Sequence, residues 1–356
     1  MKKFLNLFIA LPAAMLIPGM LLPSCAKDAG VEVPEPEIVL PEGVTDLGNG
    51  EGLEHGMMVL GEQLENPYSL ENMQQAYSNM YPTKAPALLE ATHLYVRVKP
   101  ESSSDIDDLR ARGASVTDFP LDYEVVRDGD YYHDPEVPED EITWQYVVVP
   151  RNFDFGDLKF EVIDDCFIAG DEEYTKAADI DWDAVEEEAY RITGNGDKLL
   201  AATKGGGTNP RGRITITDED FNRGKPFGLA EVKVQCNVFV KFSSTYTDRD
   251  GYYTIPAQFK ANPHYRIIYE NRKGFAIGVN LILVRGSVAT LGKQSPCGVS
   301  ICINKYSDTK MWKRSVVNNA AYEYYVKCSS GTDIALGNPP ADIRFWLFDG
   351  LSCSSA

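Results

Sequence analysis

The sequence predicts an α+β protein, in which a mixed α and β domain precedes an all-β sandwich and a short mixed C-terminal segment. Between residues 66 and 200, stretches with apolar residues at helical spacing alternate with short apolar runs typical of strands. From residue 211 to about 275, short alternating segments separated by turn residues indicate strands alone. Nineteen tyrosines and only four histidines also favour β-rich domains and argue against a histidine-based metal centre.

The first 24 residues have the layout of a bacterial export signal. Two lysines precede an apolar run from Phe4 to Leu22, and the small residue Ser24 stands directly before Cys25. At about 19 residues, the run is also long enough for a transmembrane helix. Proline and glycine break helices, and four of them favour a cleaved signal over a membrane span: Pro12, Pro18, Gly19 and Pro23.

Leu22–Cys25 (LPSC) resembles the lipobox of bacterial lipoproteins. The resemblance implies cleavage before Cys25, attachment of lipid to that cysteine, and a membrane partner reached through this anchor. Ala26–Asp28 (AKD) is similar to the signal that directs some lipoproteins of the Bacteroidetes to the outer cell surface. The chain is therefore expected in the cell envelope as a surface-exposed outer-membrane lipoprotein, with plain secretion or an uncleaved membrane anchor as alternatives.

Residues 25–60 are predicted to form a lipidated tether. Prolines alternate with acidic and aliphatic residues from Val31 to Glu37, and glycines follow at Gly48, Gly50 and Gly52. This composition carries too little apolar surface to fold alone, and its prolines favour an extended chain. Such a spacer would hold a folded body away from a lipid surface.

Residues 61–204 are predicted to form the mixed α+β domain. Helices are expected from Asn66 to Met80, over 103–112, where aspartates come early and arginines late, and over 181–191, where Asp181 would cap an acidic first turn. Strands are expected over 93–98, 143–149 and 158–163. Residues 205–210 (GGGTNP) then form the clearest linker in the chain.

Residues 211–275 are predicted to form a β-sandwich. Strands are expected over 211–217, 226–234 and 238–242, and Thr245–Tyr253 (TYTDRDGYY) predicts a strand, a turn and a second strand in a hairpin. Gly228–Val234 (GLAEVKV) and Thr247–Tyr253 (TDRDGYY) are similar to the carboxypeptidase regulatory-like domain. That resemblance implies a seven-stranded prealbumin-like sandwich that accompanies other proteins as an accessory domain and has no catalytic activity.

Residues 276–356 are predicted to form a short mixed segment, with a helix over 312–327 and a strand over 343–348. The strand lies close to the last residue, which suggests a shortened form of a longer protein. Three phrases resemble uncharacterised surface lipoproteins of the Bacteroidetes: residues 131–135 (YYHDP), 143–146 (TWQY) and 317–320 (VNNA). Longer relatives of that kind carry a zinc-peptidase-like helix, and this chain has no His-Glu-x-x-His.

The charge excludes one class of partner. The formal net charge is −19, and removal of the two lysines in the signal would make it about −21. Phosphate binding requires clustered lysine and arginine, so no nucleic-acid partner is expected. The six cysteines after Cys25 could form three disulfides in 15 different connectivities, and no CxxC pair occurs. Mostly reduced cysteines, with at most one or two bridges, are expected.

Candidate ion sites are weak. Asp248–Gly251 resembles the start of a calcium loop, but the EF-hand positions for Gly and Glu hold Tyr253 and Phe259, so a turn is favoured. Asp179, Asp181 and Asp183 alternate like metal ligands, yet helix capping explains them. The acidic segment around His133 and Asp134 contains prolines and is expected to be a solvated loop rather than a calcium site.

Catalytic signatures are absent from the sequence. No Gly-x-Ser-x-Gly occurs, and His55, His93 and His264 have no placement that marks a Ser or Cys nucleophile. A glycosidase pair of carboxylates cannot be selected among 53 acidic residues. Exposed aromatics such as Trp144, Tyr146 and Tyr252 could stack on sugars, although core packing is the default for each.

The sequence therefore favours a non-catalytic binding or accessory module at the bacterial surface, with a protein or a glycan as its ligand. No catalytic, metal or cofactor-binding residue is assigned, and Cys25 is the one functional residue, as the site of lipidation. The alternative is a truncated member of a zinc-metallopeptidase-like lipoprotein family whose catalytic part is missing here. For the chain as it stands, we expect neither stoichiometric zinc nor proteolysis.

Overall fold

The computed structural model describes residues 40–83, 88–169, 180–199, 209–278, 287–330 and 343–347. Four α-helices and seventeen strands lie in this part of the chain, which confirms the predicted α+β class. Among the described residues, no helix is both long enough and apolar enough to span a bilayer. The predicted signal segment and Cys25 lie outside the described residues.

The helices are α1 (Leu70–Met80), α2 (Ser103–Ala111), α3 (Trp182–Ile192) and α4 (Thr309–Ser330). The first nine strands are β1 (Thr45–Asp46), β2 (Val59–Gln63), β3 (His93–Val98), β4 (Ser115–Thr117), β5 (Tyr123–Arg127), β6 (Gln145–Pro150), β7 (Phe160–Cys166), β8 (Arg211–Ile216) and β9 (Phe227–Gly228). The others are β10 (Lys233–Val238), β11 (Lys241–Tyr246), β12 (Tyr252–Thr254), β13 (His264–Ile268), β14 (Phe275–Gly278), β15 (Val288–Lys293), β16 (Val299–Ile303) and β17 (Ile343–Trp346).

An antiparallel sheet in the order β4-β6-β3-β7 organises the N-terminal half. Helix α2 connects β3 to β4 across β6, which is the strand order of a split βαβ motif. The second crossover, from β6 to β7, has no helix. Its phenylalanines Phe153 and Phe155 instead pack beside Ile106 and Leu109 of α2 on one face of the sheet.

The other face of this sheet packs against the sandwich. Side chains alternate between faces along a strand, so Val96 lies under α2 while Tyr95 points the opposite way. Tyr95, Tyr146 and Val148 belong to the same buried apolar cluster as the sandwich core. Part of this second face, including Val148, lines a groove between the sheet and the sandwich.

Polar caps determine where three helices begin. Ser69 Oγ accepts the Asn72 N–H at 3.1 Å, and Asp181 Oδ1 accepts the Ala184 N–H at 3.1 Å, which confirms the predicted aspartate cap. Asp105 in α2 accepts the Ser102 N–H at 2.9 Å. Helices α1 and α3 then pack together through an apolar cluster that includes Met73, Ala76, Val185 and Ala189.

Two sheets form a sandwich. One has the order β1-β16-β8-β12 with β9 beside β8, and the other has the order β11-β10-β13-β15. Its core includes Ile214 and Ile301 from the first sheet and Val234, Ile267 and Leu291 from the second. The sandwich thus continues past the predicted end at 275 and takes in β15 and β16.

The predicted hairpin over Thr245–Tyr253 is wrong. Strand β11 pairs with β10, whereas β12 pairs with β8 in the opposite sheet. Asp248 Oδ1 accepts the N–H groups of Asp250 and Tyr252, so the turn itself forms as predicted. At Gly251, φ is +83° and a Cβ would lie 2.0 Å from Ile214 O, so glycine lets this turn approach β8 and carry the chain across the sandwich.

A strand, β1, lies within residues 25–60, the range predicted to form a tether. Thr45 and Asp46 pair in parallel with Val299 and Ser300, because the edge of β16 needs hydrogen-bond partners there. A strand of two residues is too short to show the alternation of apolar and polar residues from which strands are predicted, so the sequence did not indicate β1. Of the predicted linker over 205–210, only Asn209 and Pro210 are described, and Asn209 Nδ2 donates to Ile255 O at 2.9 Å.

The C-terminal part returns to the sandwich. Helix α4 is longer than predicted at both ends, and its Met311, Ser315 and Asn318 are buried. Asn319 Nδ2 donates to Gly228 O at 2.8 Å, which fixes the helix beside β9. Strand β17 pairs in parallel with β14.

Candidate functional site

An open groove with a volume of about 710 Å³ lies where the N-terminal sheet, α3 and the sandwich meet. Ligand pockets in proteins typically have volumes of about 300–1,000 Å³. One side is formed by the face of the N-terminal sheet that α2 leaves uncovered and by the N-terminal part of α3. The other side is formed by β11 and by the segment after β12. Its lining includes His93, Ser115, Val148, Pro150, Trp182, Asp183, Glu186, Lys241, Phe242, Ser243, Gln258 and Lys260.

Sheet geometry explains the first side of the groove. Ser115 lies opposite Val148 in the β4–β6 pair, and His93 lies opposite Pro150 in the β3–β6 pair. Positions 148 and 150 share a face because side chains alternate along a strand. These four residues therefore line the groove from the sheet face that α2 leaves uncovered.

A buried ion pair joins the two sides. Lys241 Nζ on β11 lies 2.9 Å from Glu186 Oε2 on α3, and 12% and 5% of the two side chains are exposed. Tyr68 OH also donates to Glu186 Oε1 at 2.6 Å. Burial raises the pKa of Tyr68 well above its usual value, and the charge of Glu186 raises it further. The phenol therefore stays protonated as a donor that holds Glu186 in place.

A second ion pair lies nearer the rim. Lys260 Nζ is 2.9 Å from Asp183 Oδ2 and 3.8 Å from Glu187 Oε1. Burial lowers the pKa of Lys260, but the hydrogen bond to Asp183 and the attraction of Asp183, Glu187 and Glu186 together outweigh it, and the net shift is upward. Both lysines of the groove are thus matched by carboxylates, which leaves the lining close to neutral in a strongly acidic chain.

The aromatic side chain of Trp182 lines the groove. The Trp182 ring stacks on Tyr77 with ring centroids 5.9 Å apart and packs on Phe167 at 5.0 Å. Its Nε1–H is buried, and none of the described residues accepts a hydrogen bond from it. Buried donors without partners are rare in folded proteins. Trp182 adds an aromatic surface to a lining in which Val148 and Phe242 also stand among charged and polar groups.

His93 is the histidine that lines the groove. The hydroxyl beside it belongs to Thr92, and its contacts are not those of a nucleophile. His93 Nδ1 lies 2.9 Å from Thr92 Oγ1. That hydroxyl also accepts the Ile168 N–H at 2.9 Å and lies 3.4 Å from Cys166 O. Because the threonine oxygen is engaged by main-chain groups, it is held as a structural bridge between β3 and the end of β7.

A buried ion cluster, made of His55, Asp130, Asp308 and Arg314, lies outside the groove. His55 Nδ1 is 2.8 Å from Asp130 Oδ1, and His55 Nε2 contacts Asp308 Oδ2. Arg314 Nη1 is 3.4 Å from Asp130 Oδ2 and donates to Val288 O at 2.9 Å. The cluster joins the segment before β2, the loop after β5 and the start of α4.

The buried ion cluster suits a structural role. Burial lowers the pKa of His55, but hydrogen bonds and attraction from Asp130 and Asp308 outweigh it and raise the pKa to about 9. Both ring nitrogens face carboxylates, so the imidazolium has no nitrogen left to take a proton from a substrate. Burial raises the pKa of Asp308, but hydrogen bonds from His55 and the Met311 N–H, with the attraction of His55 and Arg314, together turn the net shift downward.

A related contact lies beside this cluster. His264 Nδ1 is 3.1 Å from Asp128 Oδ2, and Thr290 Oγ1 donates to Asp128 Oδ1 at 3.1 Å. Burial lowers the pKa of His264 despite the attraction of Asp128. This histidine and His55 lie in one region of the fold, although 209 positions separate them in the sequence (264 − 55 = 209).

The structure places the other sequence candidates in turns and caps. His133 Nε2 lies 2.9 Å from Val137 O, and Asp134 Oδ1 accepts the Glu136 N–H at 2.9 Å. Asp181 caps α3, and Asp248 closes the turn before β12. Asp179 lies outside the described residues. Within the described ranges, no group of three His, Cys, Asp or Glu residues is arranged to hold a metal ion.

Two of the three aromatic candidates are packed. Tyr146 is buried, and Trp144 packs on the core with the Arg97 guanidinium 4.5 Å from its ring. Tyr252 is half exposed on β12 beneath Arg213. Five cysteines lie in the described part of the chain and form no disulfide: Cys166, Cys236, Cys297, Cys302 and Cys328. Burial raises the pKa of Cys166 and Cys236, which makes these two thiols unreactive.

Sequence reasoning missed the groove. Glu186, Lys241 and Lys260 are ordinary charged residues in sequence, and their pairs span 55 and 77 positions (241 − 186 and 260 − 183). The one available signal was Glu186 itself, since it occupies the apolar stripe of α3 with Val185, Ala189 and Tyr190. A charged residue on a buried helix face predicts a partner across the interface.

Comparisons of the chain with protein-family models, with curated proteins and with solved structures find no match.

Proposed function

We propose that this chain is a non-catalytic binding module of the bacterial cell envelope and that the groove is its binding site. The groove carries the proposal because it combines a ligand-sized volume, an aromatic surface at Trp182 and charged groups that are already paired. Lysine–carboxylate pairs at 2.9 Å position donors and acceptors and engage both lysines of the groove, so that neither lysine is a free base or nucleophile. Such a lining suits recognition of a ligand better than cleavage of one.

The location is part of the same proposal. Lys2 and Lys3, the apolar run and Cys25 support export and lipid attachment, and residues 26–39 would then separate the lipid from the first described residue, Leu40. A prealbumin-like accessory domain of the carboxypeptidase regulatory-like kind remains our proposal for the sandwich. The turn at Asp248–Tyr252 and the two packed sheets support it.

Mass spectrometry of the mature N-terminus tests the location. We expect the chain purified from bacterial membranes to begin at Cys25 and to carry lipid mass on that residue. Cys25→Ser should keep the full-length precursor mass and lose the lipid mass. An intact Met1 in the unmodified protein, or an unmodified terminus elsewhere, would contradict lipidation.

Blocking the groove tests the binding site. Gln258 is exposed at the groove, so Gln258→Trp should fill space there with little effect on folding. The full chain is applied to one array of defined glycans and one array of defined peptides. We expect binding to members of one class and a loss of at least about tenfold, or 1.4 kcal/mol, in Gln258→Trp.

Gln75→Trp is the matched control, because Gln75 is an exposed position of α1 outside the groove lining. It should bind as the unmodified chain does. Equal affinities of the two tryptophan variants would show that the binding site lies outside the groove. Absence of binding to both arrays would reject the proposed function for these ligand classes.

A further inference from the structure

Strand β11 meets the groove with its edge. Three consecutive residues of β11, Lys241–Ser243, line the groove, although consecutive side chains in a strand point to opposite faces. A pocket lined by every residue in turn must therefore run along the strand edge. Strand β11 is also the end strand of its sheet in the described part of the chain, and all six of its residues are half-buried.

The register identifies which main-chain groups of β11 point away from β10, and Phe242 is the one of these residues that also lines the groove. Thr247 N donates to Val232 O at 3.0 Å, so Thr247 and every second residue before it bond to β10. Phe242, Ser244 and Tyr246 occupy the alternate positions, whose N–H and C=O groups point away from β10. Among the described residues, no main-chain hydrogen bond reaches Phe242 or Ser244 from outside the strand.

We propose that the groove binds an extended peptide segment, which pairs with the open edge of β11 through the main-chain groups of Phe242 and Ser244. This inference rests on the proposed function of the groove. A peptide strand offers alternating N–H and C=O groups at the spacing that an open edge requires, and a glycan does not. Unpaired edges in sheets are the established docking sites for added strands.

The charges define the preferred peptide. Two carboxylates, Asp183 and Glu186, and two ammonium groups, Lys241 and Lys260, are the charged groups of the lining, with His93 as a further titratable group. Because each lysine has its carboxylate within 2.9 Å, the groove offers no free charge to a charged side chain. Trp182 and Val148 offer apolar contact instead. The ligand is therefore an uncharged peptide with alternating small polar and apolar side chains.

The test uses a defined probe, acetyl-Thr-Val-Thr-Phe-Thr-Val-Thr-amide, titrated into the full chain by calorimetry. Ser244→Pro removes the outward N–H and leaves the bonds to β10, since proline is tolerated on the open side of an edge strand. We expect at least a tenfold loss of affinity in Ser244→Pro and no more than a twofold change in Ser244→Ala. The probe with N-methyl groups on alternate residues should also bind at least tenfold more weakly.

The outcomes separate this inference from the proposed function. Equal binding to Ser244→Pro, equal binding of the N-methylated probe, or no binding of the probe would overturn peptide pairing. A glycan that loses affinity in Gln258→Trp but not in Ser244→Pro would keep the groove as the site and reject the peptide. A probe that loses affinity in Ser244→Pro but not in Gln258→Trp would place strand pairing outside the groove and overturn both.

Discussion

Replacing Asp130 with alanine is expected to lower the free energy of unfolding by about 3–5 kcal/mol. Asp130 faces His55 at 2.8 Å and Arg314 at 3.4 Å, and its Oδ1 accepts the Thr290 N–H at 3.0 Å. Only 10% of its side chain is exposed. Removing the carboxylate leaves two buried cations with Asp308 as their remaining close acid, so the loss is mostly the cost of uncompensated charge. Urea denaturation measures it.

Asp154→Ala is the control for this measurement. Asp154 also faces an arginine, with Asp154 Oδ2 3.7 Å from Arg112 Nη1, but 88% of its side chain is exposed. Surface pairs of this kind contribute about 0–1 kcal/mol. Asp130→Asn keeps an acceptor for the Thr290 N–H and loses the charge. Its loss in the free energy of unfolding should lie between those of Asp130→Ala and Asp154→Ala. Similar losses for Asp130→Ala and Asp154→Ala would show that the buried ion cluster does not hold the fold together.

The stability of the protein is expected to fall between about pH 6.5 and pH 9 because of His55. Its pKa in the folded protein is about 9, above the value of about 6.5 for an exposed histidine. A raised pKa stabilises the folded state fully below the unfolded value, and that contribution disappears as pH rises through the folded value. The expected loss is about 2–3 kcal/mol, measured from denaturation curves at pH 6 and pH 9.5.

His55→Gln isolates this contribution, since glutamine carries no titrating charge. The variant should be less stable than the unmodified chain at pH 6, and its own stability should change less between the two pH values. If the stability of the unmodified chain and that of His55→Gln changed with pH in parallel, the pH dependence could not be assigned to His55. The lowered pKa of Asp308 acts in the opposite direction, because its contribution is lost in acid.

Local signals in the sequence predicted several elements of the N-terminal half well, whereas the strand expected over 226–234 is interrupted at 229–232 and the one expected over 238–242 at 239–240. The strand at His93–Val98 has the predicted bounds, and α1, α2 and α3 begin within a few residues of their predicted caps. Each of these elements depends on residues within one or two turns of chain: a cap at Asp181, or alternation around Tyr95. Periodicity and capping are properties of a short window, so one sequence is enough to show them.

Features that depend on distant partners were not predictable. The two residues of β1 form a strand only because the edge of β16 lies beside them. The turn after β11 has the composition of a hairpin, and its outcome is decided by the contact between Gly251 and Ile214 on β8. His55 lies in a glycine-rich segment that predicts a tether, and its burial depends on Asp130 and Asp308.

The groove belongs to the same class of features. Its walls come from a sheet face at His93 and Val148, a helix end at Trp182 and a strand edge at Phe242, which lie up to 149 positions apart (242 − 93). No single window of sequence contains two of these walls. The site is therefore visible only after the N-terminal sheet has packed on the sandwich.

Amide hydrogen exchange at β11, measured on the full chain with and without the uncharged peptide probe, tests the central claim most directly. Ser243 and Thr245 already bond to β10, so their amides should exchange slowly in both states. The outward amides of Phe242 and Ser244 should exchange fast in the free chain and become protected at saturating peptide. Unchanged exchange at Phe242 and Ser244 under saturation, or protection confined to other parts of the chain, would contradict the assignment of the groove as a strand-pairing site.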